Sequence, residues 1–190
     1  MNFIFYIKCD LYRYAGNNDF KSFIKQYLFS EGFRFTFWLR ACWFLRKKKK
    51  WKYTIFPFAR FIYNHYRIKY GYDIPYSIDI GPGLLIFHIG GIVISAKKIG
   101  KNATISHCTT IGMKIKNGIM QFPEIGDNLY LAPGAKIVGG IKVGNNVSVS
   151  TNTVVFKSID NDSIVINKNG DMVISGNKNE YVINPIKLGE

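Results

Sequence analysis

Acidic residues are scarce in this 190-residue chain: 12 Asp and Glu stand against 26 Lys and Arg, for a formal net charge of +14. Cysteine is scarcer still. Cys9, Cys42 and Cys108 are too few and too scattered for a disulfide framework, and no Cys-x-x-Cys pair suggests zinc. A reducing compartment fits that usage. Also missing is any uncharged apolar run near the ~18 residues that a bilayer crossing requires, since Arg34, Arg40 and Arg60 interrupt the candidates. The apolar start Met1–Ile7 lacks the basic flank and small-residue cleavage site of a secretory leader. These absences argue against a disulfide-stapled module and a membrane-spanning protein, and 47% hydrophobic residues argue against a disordered one.

What is present is unevenly placed. Residues 1–72 hold 15 Lys and Arg against 3 Asp and Glu, together with 24 of the 30 aromatic residues; residues 73–190 hold 11 against 9. The shift predicts two units, a basic aromatic helical segment over 1–72 and a β domain over 73–190. Within the first, Asp19 suits a helix N-cap before KSFIKQYLF, Gly32 reads as a separator between helices, and Pro57 falls early in the last one. Helices rich in Trp, Phe and Lys suit an anionic lipid surface, so residues 33–70, with the cluster Arg46–Lys50, are expected at a membrane face or packed between subunits. No nucleic-acid motif accompanies the cluster.

From Ile80 an aliphatic residue returns every six positions: Ile80, Ile86, Ile92, then Ile99, Ile105, Ile111 after one extra residue near Lys97. After an interruption it resumes at Ile125, Leu131, Ile137, Val143, Val149 and Val155. A six-residue period fits neither a helix nor a simple amphipathic strand. It fits short strands and turns stacked as a parallel β-helix of about four coils, the hexapeptide repeat architecture. Asn102, Asn128, Asn145 and Asn146 suit the corners, where left-handed backbone is tolerated. The interruption Met113–Glu124 must leave the column as a loop, and Ile164–Ile174 reads as a hairpin around Asn169-Gly170.

The run Ile80–Ile159 resembles the hexapeptide-repeat acyltransferases, and Gly71–Gly112 is most similar to their serine O-acetyltransferase branch and its polysaccharide-modifying relatives. The resemblance implies a left-handed β-helix, a homotrimer with sites between subunits, and acetyl-CoA as donor. It also implies that His88, in Phe87-His88-Ile89-Gly90-Gly91, is the general base, a task to which histidine is suited by its pKa near neutrality. Asp73 matches the carboxylate that orients it, with Asp79 as the competing carboxylate. Cofactor contacts carry over to Gly112, Met113, Pro133, Gly134, Ser150 and Thr151, with Lys136, Lys142 and Lys157 as candidates for the phosphates. Cys108 is expected to be a small buried thiol, and His65 structural. His65 precedes the repeat, leaving two histidines where a zinc site of similar fold needs three, so no metal is expected.

The chain departs from the branch where the acceptor binds. Phe87 replaces an acidic residue, and Gln121 and Phe122 replace an arginine and a histidine before Pro123. With His107, these residues are expected to wall the acceptor site. An amino acid needs charged partners, because desolvating its charges alone is costly. The expectation is therefore acetylation of a carbohydrate hydroxyl, on a capsule or O-antigen-type glycan or its lipid-linked precursor, by a cytoplasmic protein peripheral to the inner membrane face. Serine O-acetylation for cysteine biosynthesis and a non-enzymatic membrane-associated scaffold are the alternatives.

Overall fold

The computed structural model describes residues 2–51, 53–168, 171–176 and 180–187. Four helices lead: α1 (Phe3–Ala15), α2 (Phe20–Phe29), α3 (Glu31–Leu45) and α4 (Ile55–Tyr70). Side-chain caps set the starts of the first three: Asn2 accepts from Phe5 N, Asp19 from Ser22 N, and Ser30 from Phe33 N. Pro57 sits in the first turn of α4, where a missing N–H is harmless. Gly32 requires a correction. It does not separate helices; the break falls at Ser30, and Gly32 lies buried inside α3. A Cβ there would stand 2.3 Å from the Ile86 carbonyl oxygen, so the glycine lets α3 touch the β domain.

At Gly71, in left-handed conformation at the end of α4, the chain enters a triangular column of parallel strands. Its five-stranded face comprises Tyr72–Asp73, Ile92–Ile94, Thr110–Gly112, Lys136–Val138 and Val154–Val155. The four-stranded face comprises Asp79–Ile80, Lys98–Ile99, Glu124–Ile125 and Lys142–Val143. The third face stacks Leu85–Ile86, Thr104–Ile105, Tyr130–Leu131, Ser148–Val149 and Ser163–Lys168 in parallel, with Asp171–Gly176 antiparallel at its end. Inward aliphatics align rung upon rung, as in Ile86, Ile105, Leu131, Val149 and Val165. Each of these is at most 2% exposed, and each fully buried aliphatic contributes about 1.5–3 kcal/mol.

The register corrects the repeat in two places. Ile94, not Ile92, pairs with Ile111, so the corner from Ile86 to Ile94 has two more residues than the six-residue corners above it, and the next, to Ile99, is one shorter. The column also outruns the visible period. Tyr72–Asp73 adds a rung below, and Ile159 and Val165 add one above, after a turn between Val155 and Ile159 that is two residues short. Asn102, Asn128, Asn146 and Asp162 form a ladder of side-chain hydrogen bonds, all at positive φ, along the edge between the four- and six-stranded faces. Asn145 instead accepts from Asp127 N.

Helices and column share one apolar core running from Phe35 and Leu39 through Tyr63, Tyr70 and Tyr72 into the coils. Buried charge fixes their contact. Asp10 and Arg40 pair with two hydrogen bonds; Asp10 also accepts from Gly83 and Leu84 N, and Arg40 donates to the Ile80 and Gly81 carbonyls. Arg13 donates to Thr104 Oγ1 and to the Gly83 and Ile183 carbonyls, and burial pulls its guanidinium down to about 10. Every donor so placed has an oxygen, which is the condition for burying such groups.

The interruption does leave the column, as an antiparallel hairpin of Lys114–Lys116 and Ile119–Gln121. Asn117 and Gly118 turn it at φ 51° and 74°, the backbone of a type I′ turn. The strands of the C-terminal hairpin pair as the sequence implies, and Asn169 and Gly170 lie outside the described residues. Among the described residues, no helix is long and apolar enough to cross a membrane.

Candidate active site

The long corner after Ile86 carries His88. In the six-residue corners, Gly134 N donates to the His107 carbonyl and Asn152 N to the Pro133 carbonyl. Cys108 N makes the matching bond to the Gly90 carbonyl. Gly90 thus fills the regular place, and His88 and Ile89 are the extra pair, pushed out of the edge. His88 is exposed and takes φ 62°, uncommon for a residue with a side chain. Gly90 (φ 117°) and Gly91 (φ 56°) return the backbone to the column. The displaced His88 carbonyl accepts from the Tyr72 hydroxyl at 2.8 Å, while Gly90 N donates to the Tyr70 carbonyl at 3.0 Å. Tyr72 is 1% exposed, and burial raises the pKa of its phenol.

Beside His88 lies His107, the ring centroids 5.5 Å apart and nearly perpendicular. His107 Nδ1 is buried without a hydrogen-bond partner. Phe87 is half-buried next to His88, its ring 6.2 Å away. Further along the same edge follow Pro133–Gly134 and Ser150–Thr151. Cys108 lies there too, exposed rather than buried, because the corner sets it at φ 57° with its side chain outward.

The remaining expected residues fall elsewhere. Gly112 and Met113, the hairpin with Gln121 and Phe122, and Lys157 lie along the next edge, between the five- and four-stranded faces. Gln121 packs against Gly140. Phe122 lines a hollow with Pro75, Ile78 and Ser95. Lys136 points out from the five-stranded face and donates to the Gly134 carbonyl. Lys142 sits on the four-stranded face in register with Glu124. A row of Asp73, Val93, Thr110, Lys136 and Val154 separates the two edges.

No hydrogen bond or ion pair joins Asp73 to His88 among the described residues. The Asp73 carboxylate accepts from Arg67 Nε at 3.1 Å and Nη2 at 2.6 Å, both side chains about half exposed. Asp79, the competing carboxylate, lies on the four-stranded face paired in register with Lys98. His65 is exposed on α4, against Tyr66. No group of three metal-ligating side chains occurs among the described residues. The sequence reading missed Tyr72; its signal was a tyrosine at the foot of the column, one coil before the histidine.

No family model matches the chain. It is 37% identical over 126 residues to a serine acetyltransferase of Staphylococcus xylosus, a match covering 66% of this chain and 57% of that one. A serine acetyltransferase of Staphylococcus epidermidis is 36% identical over 137 residues, with 71% and 64% covered. The solved soybean serine acetyltransferase apoenzyme superposes with a TM-score of 0.68 at 28% identity, covering 87% of this chain and 66% of that one. The left-handed parallel β-helix places the chain among the hexapeptide-repeat acyltransferases. Within that family it is serine acetyltransferase-like. It spans little more than half the length of the first curated relatives it matches.

The carbohydrate expectation is overturned. The relatives reported above are serine acetyltransferases.

Proposed function

We propose that the chain is an acetyl-CoA-dependent serine O-acetyltransferase with His88 as general base. The observation that carries this reading is the two-residue bulge presenting the His88 ring at a glycine-flanked corner, in a chain whose relatives are named for that reaction. The serine hydroxyl oxygen attacks the thioester carbonyl while His88 takes its proton. The C–S bond breaks as the C–O bond forms, and the proton passes to the departing thiolate, giving O-acetylserine and free CoA. The Tyr72 bond holds the backbone that aims the ring, and His107 and Phe87 flank the acceptor.

The site works between copies. Pro133, Gly134, Ser150 and Thr151 share the edge of His88, whereas Gly112, Met113, Gln121, Phe122 and Lys157 lie one edge away. A homotrimer that sets the hairpin edge of one copy against the His88 edge of the next assembles both sets around one acetyl-CoA. The separating row is mostly uncharged and small, with Val93 and Val154 about 40% exposed, a surface suited to close approach of a second copy. Asp73, held by Arg67, stays out of the proton path in this arrangement.

The test is release of free thiol from acetyl-CoA by the purified chain, with and without L-serine. Serine-dependent release that disappears in His88→Ala supports the reading. Release indifferent to serine, or none at all from a trimer that binds acetyl-CoA, defeats it.

A further inference from the structure

The outer surface of the helices has no part in that chemistry. Between Glu31 and Asp73 the sequence holds 11 Lys and Arg and no acidic residue. The structure assigns partners to some of them: Arg40 lies in the buried pair with Asp10, Arg67 holds Asp73, and Arg34 donates to Tyr27 and Tyr70. Lys47 to Lys50, Arg60 and Lys69 remain exposed. Helix α3 is covered by the other helices and by the column, with Phe33, Phe35, Leu39 and Cys42 buried. The surface available from this segment is therefore the α3–α4 connection and the outside of α4.

That outside is apolar where solvent would favour polarity. Phe58, Phe61 and Ile68 are 62%, 73% and 79% exposed, and Tyr53, just before the helix, is 83% exposed. With His65 they recur at three- and four-residue intervals, which sets them in one stripe along α4. At the rise of a helix the stripe is about 15 Å long. Tyr53 and Phe61 line one hollow with Arg60. The neighbouring run lays Lys47 Nζ 3.9 Å over the Trp43 ring and Lys48 Nζ 5.1 Å over Phe44.

We propose that this face docks the protein on an anionic lipid surface, α4 lying in the headgroup plane with Phe58, Phe61 and Ile68 inserted and Lys47–Lys50 on the phosphates. An exposed stripe of large apolar side chains bordered by lysine and arginine is the make-up of an interfacial helix. Charge decides against a second copy as the occupant. A contact that sets the two α3–α4 connections side by side would bring together two clusters of lysines with no carboxylate partner among the described residues, whereas anionic headgroups neutralise them.

The experiment is co-sedimentation of the full chain with vesicles of phosphatidylcholine alone and of phosphatidylcholine with one part in three phosphatidylglycerol. Binding is expected only to the second. Replacing Lys47 to Lys50 together by Gln should weaken it at least about a hundredfold, given ~1 kcal/mol for each basic residue near such a surface. Phe58→Ser with Phe61→Ser, both solvent-facing, should weaken it about tenfold or more without unfolding the chain. Binding indifferent to lipid charge overturns the proposal. So does loss of binding in the lysine variant alone, which describes a general polyanion site. A fall in oligomeric mass by light scattering in the Phe variant, with no vesicle binding by the wild type, assigns the face to another copy. None of these readouts uses acetyl transfer, so the outcome is independent of the catalytic reading.

Discussion

The Tyr72 hydroxyl donates to the main-chain carbonyl of His88 at 2.8 Å, tying the lowest rung of the column to the residue that leaves its edge. A ladder of backbone bonds would otherwise satisfy that oxygen. The bulge takes it out of reach, and a buried phenol replaces the missing amide.

Tyr72→Phe removes the donor and little else. Leaving a half-buried carbonyl without a partner costs about 1–3 kcal/mol, so urea unfolding should show a loss in that range. If the bond aims the imidazole, serine-dependent kcat should fall severalfold with little change in KM for acetyl-CoA. Unchanged kcat alongside the loss of stability would reduce Tyr72 to a structural part.

His88→Ala should lower turnover by about 10²–10⁴-fold while leaving the circular dichroism spectrum and oligomeric mass as they were, because the ring is exposed. Asp73→Asn should be far milder. An exposed pair such as Arg67–Asp73 is worth at most about 1 kcal/mol, and the carboxylate is bonded to Arg67 rather than to the imidazole. Equal losses in the two variants would mean that Asp73 leaves Arg67 for His88 during the reaction.

Gly32→Ala sets helix propensity against packing. Alanine is favoured over glycine inside a helix by about 1 kcal/mol, yet the added carbon would sit 2.3 Å from the Ile86 carbonyl oxygen and 2.7 Å from the Tyr14 hydroxyl. Overpacking of this kind costs about 1–3 kcal/mol, and the obstacle includes main chain, so a net loss in thermal unfolding is expected. A gain in melting temperature would show that α3 is free to lift.

Alkaline stability should track the buried thiols. Burial pushes Cys42 up to about 12 from 9.0, and Cys9 up to about 11. The raised folded-state value means that the contribution of Cys42 is complete below pH 9 and is lost as pH rises towards 12. The slope is about 1.4 kcal/mol per pH unit. Denaturation at pH 8 and pH 10 should therefore show a smaller drop for Cys42→Ala than for the wild type, whatever cavity cost the variant carries at both.

The column was legible because its period is strict from Ile99 to Val155, where every corner but the hairpin has six residues. It was misread where the corners change length. At His88 the two-residue bulge and the shorter corner after Ile94 nearly cancel, so the apparent phase runs through Ile92 with one residue added. After Val155 a turn two residues short hides Ile159 and Val165. The hairpin at Asn117-Gly118 carries the same Asn-Gly signal as the one read within Ile164–Ile174. Helix α1 falls inside the helical segment expected over 1–72, but Asp10 and Arg13 look like surface residues, and only the contacts of a folded chain reveal them as buried. The residues around His88 were matched by resemblance, but spacing along the chain does not tell which edge of a triangle a residue occupies.

The last strand, Asp171–Gly176, runs against the direction of every rung beneath it. A solenoid whose final coil presents a parallel edge offers the next molecule a template, and identical units adding end on end would grow into a fibre. Reversing the chain at the summit removes that template from the six-stranded face. The reversal thus keeps the parallel rungs of that face from continuing into a neighbour stacked end on end.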